Sequence, residues 1–162
     1  MKSEVESQAA FLRHVVATIA YRGGKSIRDA PAGYGDFQIA PESRTPVQIL
    51  SHMGDVLSWA IGKVDSNRAR SGFEAESWSA EVERFFSLLA DLDSALAGVS
   101  QGEFPGLRLL QGPLADTLTH IGQLAMLRRL AGAPVRGENY FEAHIVAGDV
   151  GAGQAPPTHE FD

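Results

Sequence analysis

The segment Asp116-Thr-Leu-Thr-His120-Ile-Gly-Gln123 sits inside an apolar run from Leu114 to Leu130, and no other stretch limits the fold as much. In a helix, Asp116 and His120 stand one turn apart on one face. Burying a carboxylate and an imidazole in such a run is costly unless something pairs with them, and a bound metal ion is one such partner. At roughly 100° per residue, Asp116, His120, Gln123, Leu124 and Leu127 fall in one arc, with Leu114, Leu118, Ile121 and Ala125 opposite. A helix apolar on two sides has one side for a bundle core. The other needs a cover, either the C-terminal tail or a second subunit.

The rest of the chain supplies three partner helices. The first is expected from about Ser3, as N-cap, to Arg22, ended by Gly23-Gly24, with Val5, Ala9, Leu12, Val16 and Ile19 inward and His14 on the surface. Gly24-Lys25-Ser26 lacks the upstream glycine and strand of a phosphate loop. Residues 23 to 43 form a long connection held down by Tyr34 and Phe37. The second helix starts with Thr45 as N-cap and Pro46 at the first turn. Ile49 to Val64 supply its inward arc, Ser51, Asp55 and Ser58 face outward, and His52 lies on the border beside Trp59. A turn is expected from Asp65 to Gly72. The third helix runs from Ser77 to Ala97 with a narrow seam of Trp78, Val82, Phe85, Leu89, Leu92 and Leu96; Glu81, Glu83, Asp91 and Asp93 are read as solvated. A short helical turn is expected at Leu107–Leu110. Pro113 then opens the fourth helix, closed by Arg128, Arg129 and Gly132. The expected fold class is all-α: a four-helix bundle over residues 1–133 and an irregular tail over 134–162. In the tail, Asn139 and Glu142 cap a short helix from Tyr140 to Val146.

Charge and composition close off several functions. A net charge of −6 opposes nucleic-acid binding, which rests largely on Lys and Arg. With no cysteine, any metal must bind nitrogen and oxygen. Met1 to Glu6 has no apolar signal core, and no run of about 18 apolar residues occurs, so the expectation is a cytoplasmic protein without membrane contact.

Thr45-Pro46-Val-Gln-Ile-Leu-Ser-His52-Met resembles the second helix of the DinB-like (DinB/YfiT-related) metalloenzyme superfamily. His120-Ile-Gly-Gln123-Leu with Leu127-Arg128 is similar to its later His-x-Gly-Gln helix, and Asn139-Tyr140-Phe141-Glu142 to the tail of one branch. The resemblance implies a four-helix bundle with a metal held by three side chains, usually histidines. Carried over, His52 and His120 are two ligands. The third position is Asp116, where many members have histidine and the mycothiol-dependent isomerase relatives a carboxylate. Zinc, nickel, iron or manganese fits such donors. The implied function is a metal-dependent hydrolase or thiol-dependent transferase. It would act on a small molecule through a metal-activated water or thiolate, with a low-molecular-weight thiol as an optional cofactor. Gln123 is a candidate to orient substrate, Asp55 a candidate acceptor for the His52 ring, and His144 and Glu142 candidate acid–base groups if the tail folds over the site. The resemblance also implies a homodimer. Two bland readings stand beside these: a hydrogen-bonded Asp116–His120 pair with His52 packed on Trp59, and a non-catalytic dimeric bundle with a structural metal or none.

Overall fold

The computed structural model describes residues 3–67 and 76–161. Helix α1 (Glu4–Ile27) opens on a capping box, in which Ser3 Oγ accepts from the Glu6 N–H and the Glu6 carboxylate accepts from the Ser3 N–H. It does not stop at Gly23-Gly24 as expected but continues one further turn. These glycines serve packing: a Cβ on Gly23 would stand 3.0 Å from the ring of Phe85. The end of α1 is set from outside. The buried Arg128 guanidinium donates to the carbonyls of Ser26, Arg28 and Asp29, groups that a helix end leaves without internal partners.

Helix α2 (Pro46–Val64) starts as expected, with Thr45 and Gln48 completing a capping box and Pro46 at the first turn. Ser51, expected outside, is buried, because Arg84 of α3 (Trp78–Ala97) crosses α2 there and donates to the Ser51 carbonyl. Gly54 leaves the room: a Cβ at that position would meet the Arg84 guanidinium at 2.7 Å. Along α3 the inner seam positions Phe85, Leu89, Leu92 and Leu96 are buried and Trp78 and Val82 are half-buried. Two carboxylates expected in solvent are buried instead. Glu81 pairs with Arg84, and Asp93 takes a two-pronged contact from Arg13 at 2.9 Å. The expected turn between these helices lies partly outside the described residues.

The fourth helix begins earlier than Pro113. Helix α4 (Gly106–Leu109) runs through a π turn at Leu110–Leu114 into α5 (Ala115–Leu130). Proline has no N–H for the Leu109 carbonyl, and its ring crowds that position in an α-helix. Widening the turn relieves the conflict, and the Ala115 N–H bonds to the Leu110 carbonyl, five residues back. The far end closes on Gly132 at φ 77°, with Gly132 and Ala133 N–H groups returning to the carbonyls of Arg129 and Arg128.

Helices α1 and α2 each pack on both α3 and α5, so the cyclic order is α1–α3–α2–α5 around one core. The fold is mostly helical, with one small addition. Strand β1 (Gly137–Glu138) pairs antiparallel with β2 (Glu160–Phe161). The helix expected over Tyr140 to Val146 is a turn: Asn139 Oδ1 accepts from the Phe141 N–H and its carbonyl from the Glu142 N–H, and the chain then extends. The tail lies on α1, where Glu138 accepts from Tyr21 and Lys25, and it adds Ile145 and Val150 to the core. Among the described residues no helix is long and apolar enough to cross a membrane.

Candidate metal centre

Helix α2 brings His52, and α5 brings Asp116 and His120, to one point on the flank of the bundle. One ligand atom from each lies within 4.8 Å of the others. Asp116 Oδ2 sits between the rings, 3.3 Å from His52 Nε2 and 3.5 Å from His120 Nδ1, and the ring centroids are 4.8 Å apart. The spacing of four in α5 does what helical geometry requires, placing carboxylate and imidazole on one face. His120 Nδ1 is also 2.8 Å from the Asp116 carbonyl oxygen, a contact that fixes the ring against its own helix. Its side chain is 11% exposed, against 36% for His52 and 44% for Asp116, so the cluster is closed on the core side and open outward.

Two grooves flank the cluster. The first, of about 740 Å³, has His52 and Asp116 in its wall, with Val56, Trp59, Arg108 and Gln111 farther along. The second, of about 620 Å³, has His120 and Gln123 in its wall and is otherwise largely apolar, with Ile39, Met126 and Leu130. Thr119 borders both.

The other residues singled out from the sequence fall differently. Gln123 is exposed in the second groove, one turn from His120. Asp55 lines the first groove, but its Oδ1 accepts from Arg84 at 2.6 Å rather than from His52. His14 is exposed on α1, away from both grooves. Glu142 and His144 are exposed on the tail and border neither groove, so they are not acid–base groups of this site. Arg108 and Gln111 also line the first groove, and neither belongs to a sequence motif. Their signal was continuity of the α4–α5 helix, which the break expected at Pro113 concealed.

Comparison with protein-family models, with curated proteins and with solved structures finds no match to this chain.

Proposed function

We propose that the protein is a metal-dependent enzyme of the DinB-like kind, a hydrolase or thiol-dependent transferase acting on a small molecule. The observation that carries this reading is the convergence of His52, Asp116 and His120 between two open grooves. The donor set fits a divalent metal. Two imidazoles and one carboxylate are competent ligands for zinc, nickel, iron or manganese, and three protein ligands leave a position for a further group. Donors at roughly 2.0–2.2 Å from one ion lie within about 4 Å of each other, so the three donors, now within 4.8 Å, would draw together by less than about 1 Å around an ion. When bound, the metal supplies Lewis acidity and lowers the pKa of a coordinated water or thiol.

The protein's own groups do the positioning. The Asp116 carbonyl holds the His120 ring, leaving its remote nitrogen without a proton when Nδ1 is the donor. Thr119 Oγ1 donates to the Ala115 carbonyl, which holds its hydroxyl against α5, and the residue borders both grooves. Gln123 offers an amide at the mouth of the second groove, beside His120. The homodimer belongs to the same proposal, supported by the exposed apolar side chains of that groove.

Elemental analysis of untagged protein tests the reading. Wild type and His14→Ala should carry close to one equivalent of a divalent metal, and His120→Ala almost none. Equal metal in the two variants would refute the assignment.

A further inference from the structure

The first groove does not end at the candidate metal centre. It continues along the α4–α5 helix to Arg108, eight residues before Asp116, or about 12 Å at helical rise. Its middle is built by the π turn, which puts Gln111 and Gly112 on the wall, and π turns of this kind recur at ligand sites. Opposite stand Val56 and Trp59 of α2, the indole 37% exposed although Lys63 Nζ lies 4.9 Å from its ring centroid. The charges are sorted. Asp55 is engaged by Arg84, and Asp116 belongs to the cluster. Among the described residues Arg108 has no ion pair or hydrogen-bond partner, and it is exposed at the groove wall.

From this arrangement we infer that the first groove takes a small molecule with a flat apolar body and a terminal carboxylate or phosphate. The body lies on Trp59 and Val56, the anion meets Arg108 with Gln111 beside it, and the opposite end reaches His52 and Asp116. An arginine fork matches both anions, and an aromatic face adds area at small entropic cost. The length of the groove sets the selection: the anion must be held about two helical turns from the reacting end. A net charge of −6 over the whole chain makes this local cation a selective feature rather than part of a general anion-attracting surface.

What happens at the reacting end rests on the metal reading, but occupation of the groove does not, and the test separates them. The full-length protein is stripped with a chelator and held at pH 8, where ordinary imidazoles are neutral. The Trp59 indole N–H, assigned through its loss in Trp59→Phe, is then followed by NMR during titration with 3-phenylpropionate, phenyl phosphate and the uncharged 3-phenylpropionamide. Both anions should bind about two- to fivefold more tightly than the amide, the scale of one exposed charge contact. Arg108→Gln should erase that preference, and His120→Ala should keep it. Equal binding of amide and anions, no shift with any probe, or a preference that survives in Arg108→Gln overturns the inference. So does a preference lost in His120→Ala, which would put the anion at the cluster. Metal content before stripping judges the metal reading on its own.

Discussion

Lys25, Tyr21 and Glu138 show how a single buried charge fastens a segment. Glu138, whose side chain is fully buried, accepts from Tyr21 Oη at 2.5 Å and Lys25 Nζ at 2.7 Å, and Lys25 also meets Glu160 at 2.8 Å. Burial pulls the Lys25 pKa down, but the hydrogen bonds to Glu138 and Glu160 outweigh it and leave the pKa raised. Burial, then the bond to Glu138, raises that of Tyr21. The hydrogen bond from Lys25 lowers that of Glu160. A lowered carboxylate stabilises the fold above its unfolded pKa of roughly 4.3, and that contribution is lost as pH falls through the folded value. The raised lysine and tyrosine stabilise below roughly pH 10 and lose their contribution as pH rises through the folded values. Stability from this cluster is therefore level between about pH 5 and 10 and declines on both sides. Tyr21→Phe should cost about 1.5–3 kcal/mol near neutrality, as a lost hydrogen bond to a charged group, and should flatten the alkaline decline. Thermal melts from pH 3 to 11 check this, and parallel alkaline limbs in both proteins would count against it. None of this was legible in the sequence, because Tyr21 and Glu138 are 117 residues apart. For the same reason the burial of Asp93 is invisible in the sequence: periodicity gives its angle on α3 but not Arg13, 80 residues away.

Elements were more legible than their interruptions. Caps at Ser3, Thr45 and Ser77 were visible because capping is local, a side chain bonding an N–H two or three residues on. The glycines of α1 and Pro113 misled because their ordinary use is punctuation, and here tertiary packing and a widened turn absorb them. The His52–Asp116–His120 cluster was legible through helical spacing within α5 and the resemblance that paired it with α2; the groove wall at Arg108 was not, being hidden behind Pro113. Two substitutions separate packing glycines from incidental ones. Gly23→Ala gains helix propensity of about 1 kcal/mol. It also drives a methyl to 3.0 Å from the fully buried Phe85 ring, and overpacking at such a site costs about 1–3 kcal/mol. A lower melting temperature is expected. Gly122→Ala, exposed on α5 with open space at its Cβ, should raise stability by about 0.5–1 kcal/mol. Denaturant titration of both variants decides the matter, and a stabilised Gly23→Ala would show that Phe85 yields easily.

At the scale of the whole molecule, the question is what covers the outer side of α5. The tail is committed to α1 through Glu138 and through Tyr140, whose ring stacks edge-on to Tyr21 and carries the Arg22 guanidinium at 4.2 Å. Ile39, Met126 and Leu130 accordingly remain 51–54% exposed along the second groove. Large apolar side chains gathered on one face mark an association surface more often than a free one. A second copy meeting the first about a twofold axis would present the same face to itself, so each Met126 and Leu130 would be covered without a separate partner. A stable interface needs about 1,200 Å² or more of buried surface in total, so the rims of this groove would have to take part as well as its floor. Because His120 and Gln123 line the same groove, association would also close that side of the cluster and leave the first groove as its open approach. Sedimentation at micromolar concentration should give one species near twice the 17.3 kDa chain mass, and Met126→Glu with Leu130→Glu should reduce it to the chain mass without unfolding. A wild-type protein sedimenting near 17.3 kDa would mean that both grooves open to solvent and that the cluster is reached from either side of Thr119.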